Sequence, residues 1–445
     1  MEKSINILGV EYLEIISDSI CSKPLLTVYC ATYNHVDFII TAVESFINQN
    51  TNFEYKVVII DDASTDGTTE IIKRYQEMYP NIIHLLIAKE NTYRNPKRSE
   101  IYRAIKNQFF STKYVAWCEG DDYWNEEKKL QIQVDYMESH SDCVMTMHNA
   151  WKEDMRTGQK ELMQNSETER NLSLNELIRE KEGIWPTASI VVRKEYFVMN
   201  GLFFDCPVGD RPLELYAAAH GKIHYFNMCM SVYRFMVRGS WSQRILGNFD
   251  SELPHSVKMI YFFDEYNKYM DYRYDEIIQL RKRIYYEFLI KSYHIDVDAY
   301  VDECNKLNES TNGKYNQILN KIVDCYRNHY DEVFISNDLL NFIKSQHHIY
   351  IMGAGRYGKK LAQKFIKNEI DFDGFVVSNN QLQQTSICCG KKVYKFSEIV
   401  EKSNDFGVVI GIDGQHWSDW DDLKSLVIEQ GADSYFNPFV VEPRY

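Results

Sequence analysis

The sequence predicts an α/β protein: a large domain on a mostly parallel mixed sheet, a helical middle region and a small Rossmann-like domain at the C-terminal end. Three observations lead there. From residue 25 onward, short β-prone apolar runs alternate with helix-periodic segments, the pattern of a parallel sheet with covered faces. Residues 253–345 lose those runs and keep a three-to-four apolar spacing. At Ile349 a strand reappears and runs into G-x-G-x-x-G. The divisions fall at 1–250, 251–345 and 346–445.

With 445 residues, 44% apolar and 26% charged, the chain is globular and long enough for two or three cores. Its net charge of −14 argues against nucleic acid and against a polybasic membrane surface. A nucleotide ligand stays open, because a metal ion neutralises its charge locally. The ten cysteines form no CxxC pair, and only Cys388 and Cys389 lie close together; reduced thiols in a cytosolic protein are expected. Glu2, Glu11, Glu14 and Asp18 interrupt the first twenty residues, so no signal peptide is expected, and no apolar run is of transmembrane length. The expected location is the cytoplasm, at most peripheral to the inner face of a membrane.

Leu25–Cys30 is a β-prone run that breaks at Ala31-Thr32-Tyr33-Asn34-His35. Between Asp37 and Asn48, Phe38, Ile39, Ala42, Val43, Phe46 and Ile47 keep a helical period. Tyr55–Ile60 is a second β run, ending in Asp61-Asp62-Ala63-Ser64-Thr65-Asp66-Gly67, and a helix follows from Thr68 to Tyr79. Ile82–Ala88 is a third strand and Tyr114–Cys118 a fourth, which stops at Glu119-Gly120-Asp121-Asp122. Acids where a strand leaves an open sheet stand at the rim of a ligand crevice. Carboxylate oxygens there suit Mg²⁺ or Mn²⁺ shared with phosphate. Taken alone, these residues suit equally a solvated turn that leads into the next helix through Asn125 and Glu126.

Thr27–Asn34, Val58–Thr68 and Glu119–Trp124, three motifs in order and each at a strand end, together resemble a family 2 glycosyltransferase of the GT-A fold, over roughly residues 24–245. The resemblance implies the site. Ala31, Thr32 and Tyr33 would line the uracil and ribose of a UDP-sugar, and Asp62 would hydrogen-bond the uracil ring. Asp121 would hold the ribose or share the metal. Asp122 of the DXD-type motif would bind the cation that bridges the diphosphate, with Glu119 completing the cluster. Asp66 reads instead as ordering its own turn. Trp185-Pro186-Thr187 resembles the segment lining the acceptor side, although a core position is the commoner fate of a tryptophan.

An acid at the start of the helix after Val208-Gly209 is the general base in the family, which implies Asp210, with Glu214 one turn on as reserve. Asp210 also suits a helix cap. Relatives often carry a histidine shortly after the Tyr-Arg pair; here Met236 and Val237 follow Tyr233-Arg234-Phe235. Arg234 and Arg238 would then supply positive charge to the leaving diphosphate. Residues 152–170 read as a loop near the site.

In the middle region Ile277, Leu280, Ile284 and Phe288, with Tyr285 and Leu289 half a turn off, suggest an apolar helix face. The many tyrosines there suit packing first and a homo-oligomer second. In the last domain Gly353, Gly355 and Gly358 form a possible ligand loop, but Ser378-Asn379-Asn380 stand where an acid would hold an NAD ribose. The resemblance therefore implies an inverting glycosyltransferase that moves a sugar from a UDP-sugar to a hydroxyl of a glycan or glycoprotein acceptor, as in bacterial capsule or other surface-polysaccharide assembly or protein glycosylation. Two rivals remain: a non-catalytic glycan- or partner-binding scaffold, and a nucleotide-sugar-modifying enzyme using the C-terminal module.

Overall fold

The computed structural model describes residues 1–20, 22–163, 168–179, 185–198, 206–246, 248–291, 297–333, 337–354, 356–377, 387–400, 406–410 and 434–436. They cluster into two units, 1–248 with 261–282, and 249–260 with 283–445.

The first unit is built on a twelve-stranded mixed sheet. Its strands are β1 (Glu2–Ile7), β2 (Val10–Ile15), β3 (Leu26–Thr32), β4 (Tyr55–Asp61), β5 (Ile83–Ala88), β6 (Tyr114–Trp117), β7 (Tyr123–Trp124), β8 (Cys143–Asp154), β9 (Lys160–Leu162), β10 (Arg170–Leu172), β11 (Val191–Arg193) and β12 (Lys222–Phe235). The helices between them are α1 (Ile39–Ile47), α2 (Thr68–Met78), α3 (Arg98–Phe109), α4 (Lys129–Ser139), α5 (Leu174–Arg179), α6 (Lys194–Phe197), α7 (Asp210–Ala218) and α8 (Trp241–Ile245). The strand order is β1-β2-β5-β4-β3-β6-β11-β8-β12-β10. The centre, β5-β4-β3-β6, is parallel, as the alternation requires. Its strands are continuous apolar runs because both faces are covered: all of Ile83–Ala88 and Tyr114–Trp117 is buried. One face packs on α1 and α2 through Ile39, Val43, Phe46 and Ile72.

One segment to which the sequence reading assigned no element is added, and two expectations are corrected. The N-terminal residues form the β1–β2 hairpin, which extends the sheet beyond β5. Its short strands alternate weakly, and what fixes them is tertiary: buried Glu14 accepts from His84 on β5 at 2.9 Å and pairs with Lys3 at 3.0 Å. The segment 152–170 is not a plain loop. β8 continues to Asp154, turns at Gly158 (φ +71°) and returns as β9, while β10 pairs with β12. Strands of three residues, the first of them exposed throughout, leave no period to read. The β run expected from Gly183 is a 3-10 turn at Thr187–Ser189 followed by β11; Gly183 and Ile184 lie outside the described residues.

Helices α9 (Phe249–Tyr269) and α10 (Asp275–Lys291) run through both units, and α11 (Val297–Ser310), α12 (Asn316–Val333) and α13 (Asn337–Lys344) belong to the second. The expected face of α10 is corrected too. Leu280, Ile284 and Phe288 are 40–52% exposed, while Ile278, Tyr285 and Leu289 are buried. Both stripes keep helical spacing, so period alone could not choose between them. The rest of the second unit is α14 (Arg356–Lys367), α15 (Phe396–Val400) and a sheet of β13 (Ile349–Met352), β14 (Gly374–Val377), β15 (Ile387–Cys388), β16 (Lys391–Lys395), β17 (Gly407–Ile410) and β18 (Ser434–Phe436). The order is β15-β16-β14-β13-β17-β18, parallel except for the β15–β16 hairpin. Gly353 has φ +94°, a conformation open to glycine, and Gly358 is buried inside α14. Gly355 and Ser378-Asn379-Asn380 lie outside the described residues.

Candidate active site

The three motif loops leave one edge of the sheet together. The register sets Thr32 against Asp61 and Tyr29 against Trp117, and backbone bonds continue past the strand ends: Asp62 N–H donates to Thr32 O at 3.0 Å and Gly120 N–H to Ala31 O at 3.0 Å. Gly120 is a glycine for lack of space. A Cβ there would stand 2.6 Å from Thr32 Oγ1 and 2.9 Å from His35 Nδ1.

Within the second motif the acids divide their work. Asp61, fully buried, accepts from the Ser64 N–H (3.0 Å), the Ser64 hydroxyl (2.6 Å) and Thr69 Oγ1. Asp66 accepts from the backbone of Val36 and Thr68 and from the Thr68 hydroxyl, and so orders its own turn. Asp62 is buried and accepts from Thr92 through N–H (2.8 Å) and Oγ1 (2.6 Å), both on Oδ1. Thr92 was not legible as a partner, because it lies thirty residues on in a loop without a motif.

In the third motif Asp122 is 2% exposed and its Oδ1 accepts the Arg234 N–H at 2.8 Å. Arg234 Nη1 donates to the Asp121 carbonyl at 2.8 Å, and its guanidinium lies over the rings of Tyr123 and Phe38. Asp121 points toward His35, whose Nε2 stands 3.8 Å from Oδ2. Burial, then the charges of Asp121 and Asp210, push the Glu119 carboxyl up to about 8, with Arg98 acting against them. Burial and then Asp121 hold Asp122 well above the usual carboxylate range, and the Arg234 N–H works against that.

This crowding of acids fits a divalent cation in donor type, since a cation would relieve the repulsion. Among the described residues, however, no three His, Cys, Asp or Glu side chains form a ready ligand group. The chain would therefore supply one or two carboxylates and leave the remaining positions to phosphate and water, a habit of Mg²⁺.

A cavity of about 360 Å³ opens beside the acids. It brings Ala31, Glu119, Trp185, Thr187, Asp210 and Tyr233 together. Thr32, Tyr33, Asp62, Asp121, Asp122 and Arg234 do not line it; Thr32 is buried, bonded to His35 at 3.2 Å, and Tyr33 is exposed. Asp210 opens α7: its Oδ1 accepts the Arg211 N–H at 2.8 Å, and Thr187 Oγ1 lies 3.5 Å from Oδ2. Gly209 before it admits no side chain, because a Cβ would meet the Trp117 ring at 2.9 Å. Glu214, the reserve candidate, is 3% exposed and paired with Arg211 at 3.0 Å, so it faces the core. Trp185 is 3% exposed and packs edge-on against Tyr225.

Four cations on the cavity wall were missed: Arg98, Arg103 and Lys106 of α3, and Arg244 of α8. The signal existed in outline, since residues 98, 102, 103 and 106 recur at helical spacing and share a face. No motif directed attention to them.

Residues 27–194 match the family model described as glycosyl transferase family 2, so this chain carries a family 2 glycosyltransferase domain. An uncharacterized protein of Mycobacterium tuberculosis is 28% identical over 225 residues, 48% of this chain and 60% of that one. The chain thus spans less than two thirds of the length of that relative. The UDP-Glc:alpha-D-GlcNAc-diphosphoundecaprenol beta-1,3-glucosyltransferase WfaP of Escherichia coli is 30% identical over 115 residues, 26% of this chain and 42% of that one. The crystal structure of S. aureus TarS residues 1-349 superposes with a TM-score of 0.47 at 15% identity, covering 69% of this chain and 90% of that one. Among the described residues no helix is long and apolar enough to cross a membrane.

Proposed function

We propose that the chain is an inverting glycosyltransferase that transfers a sugar from a UDP-sugar to a hydroxyl of a glycan or glycoprotein acceptor in bacterial surface-glycan assembly. The observation that carries the reading is a cavity in which Asp210 and Glu119 face a common space, beside the strand ends that hold Asp62, Asp121 and Asp122. The name of WfaP, which includes UDP-Glc and is that of a protein 30% identical over 115 residues, supports the choice of donor.

In this mechanism Asp62, with Ala31, Thr32 and Tyr33, holds the nucleoside. Asp62 Oδ1 is already engaged by Thr92, which fixes the carboxylate and leaves Oδ2 to test the base by hydrogen bonding. Asp122, with Asp121 or Glu119, would hold Mg²⁺ or Mn²⁺, whose chemistry when bound is to offset charge on the leaving diphosphate. Asp210 takes the proton of the acceptor hydroxyl as its oxygen bonds to the anomeric carbon and the bond from that carbon to UDP breaks. The Arg211 N–H and Thr187 hydroxyl orient the carboxylate for that transfer.

UDP release from a panel of UDP-sugars, with and without Mn²⁺, tests the class. Asp210→Asn is expected to lower kcat by a factor of about 10² to 10⁴ while UDP still binds in calorimetry. Asp122→Ala is expected to abolish metal-stimulated release. Full activity of either variant overturns that residue's role, and absence of UDP binding by the intact chain overturns the whole reading.

A further inference from the structure

Asp210 is oriented by a turn that has little to hold it on its own. Trp185, Pro186 and Thr187 line the cavity, and Thr187 Oγ1 reaches Asp210 Oδ2 at 3.5 Å, the outer limit of a hydrogen bond. A shift of about a few tenths of an ångström therefore makes or breaks that contact. The 3-10 turn Thr187–Ser189 is closed by Ser189 N–H on Pro186 O at 2.8 Å and by Ile190 N–H on Thr187 O at 3.1 Å. This leaves over the carbonyls of Ala188 and Ser189, two residues that are fully buried. Buried carbonyls need donors, and water does not reach these.

Two side chains from outside the turn supply the donors. The Trp124 indole N–H donates to Ala188 O at 2.9 Å, and Gln133 Nε2 donates to Ser189 O at 2.9 Å. Each is fixed at its own end. Trp124 is 4% exposed and packs edge-on against Phe46, and its backbone N–H donates to Ser45 Oγ at 3.1 Å. Gln133, buried on α4, also donates to Thr146 Oγ1 of β8 at 3.1 Å. Trp124 lies two residues after Asp122, on β7, which pairs with β12. β12 in turn gives the Arg234 N–H to Asp122 Oδ1. One short segment thus carries a donor-side acid and a peg beneath the turn that meets the base.

We propose that Trp124 and Gln133 are positioning residues for the base: they hold the Thr187–Ser189 turn where the Thr187 hydroxyl orients Asp210. The inference rests on the function proposed above. Its consequence is that the end of the third motif sets the distance between the acid expected to hold the cation and the base that takes the acceptor proton. Transfer is in line, so that distance decides how often hydroxyl, anomeric carbon and base are aligned. Donor affinity does not depend on it.

The test is a double-mutant cycle in the full chain, read as Mn²⁺-stimulated UDP release. Trp124→Phe keeps a ring against Phe46 and deletes the N–H. It is expected to lower kcat about tenfold, the scale of one hydrogen bond, and to leave donor KM and UDP affinity within about twofold. In a Thr187→Ala background the same change is expected to cost less than about twofold further, because its route to the base is already cut. Thr187→Ser, which keeps the hydroxyl, restores the full sensitivity. Gln133→Met takes the place of Trp124→Phe should the latter fail to fold. Amide exchange gives a reading without turnover: Ser189 and Ile190 N–H are expected to exchange at least about tenfold faster in Trp124→Phe, while the amides of β4 keep their protection. Additive losses in the cycle overturn the proposal, as does unchanged exchange in the turn. Loss of UDP or Mn²⁺ binding in Trp124→Phe also overturns it, because the indole would then serve the donor acids. In each of these cases the wild-type chain still binds UDP, which separates this failure from failure of the glycosyltransferase reading itself.

Discussion

Lys129 opens α4, five residues after the Glu119–Trp124 motif, and its side chain is 0% exposed. Among the described residues its ammonium has no hydrogen-bond partner; it lies 4.3 Å from the centre of the Trp124 ring. Burial takes its pKa from 10.5 down to about 7, with Cys118 acting weakly the other way. Across that interval, at about 1.4 kcal/mol per pH unit, the charged amine is roughly 4 to 5 kcal/mol worse off folded than unfolded. Lys129→Met keeps the length of the stem and removes the charge. After allowing for the lost ring contact, about 1 to 2 kcal/mol, the variant is expected to be more stable by about 2 to 4 kcal/mol at pH 6.5. Below pH 7 both folded and unfolded wild type carry the proton and the full cost is present. Between pH 7 and 10.5 the unfolded chain binds the proton and the folded chain does not, so wild-type stability rises with pH and the advantage of methionine shrinks. By pH 9.5 it should have fallen by about 3 kcal/mol. Urea unfolding of both proteins at pH 6.5, 8 and 9.5 measures the difference. A destabilised variant, or a gain independent of pH, would refute the argument, because the amine would then be in net favourable contact with its surroundings.

Gly120→Ala is expected to cost about 1 to 3 kcal/mol and to weaken UDP binding, because the new Cβ, 2.6 Å from Thr32 Oγ1, forces two motif loops apart; thermal shift and UDP calorimetry report both effects. Glu214→Ala should lose about 3 to 5 kcal/mol by leaving the Arg211 charge buried without its partner. Asp210→Asn should keep near-wild-type stability, since an asparagine oxygen still accepts the Arg211 N–H. A stable Glu214→Ala protein that had lost only turnover would instead bring Glu214 back as the base.

Much of the domain was legible in the chain because the physics is local. Continuous apolar runs of four to seven residues ending in acids mark buried parallel strands, and a parallel pair such as β3 and β4 must end at the same edge. The placing of Asp62, Asp121 and Asp122 at one sheet edge follows from that, while the roles expected of them came from the family resemblance. The structural reading of Asp66 was also accessible, since its partners lie within its own turn or the neighbouring one.

What the sequence could not determine depended on which face met which. Leu280 and Tyr285 both keep helical spacing on α10, and only packing exposes the first and buries the second. Glu214 and Asp210 stand one turn apart on α7, and only the position of Arg211 sends Glu214 into the core and leaves Asp210 at the cavity. The β1–β2 hairpin is held by a Glu14–His84 contact seventy residues apart. The cationic wall has the same origin. Arg98, Arg103 and Lys106 are ordinary helix-face residues in sequence, and they share a space with Glu119, after β6, and Asp210, on α7, because the sheet sets α3 beside that cavity. Periodicity assigns a residue to a face of its own element; the charge that gathers in a cavity is a property of several elements at once, and only the tertiary structure brings them together.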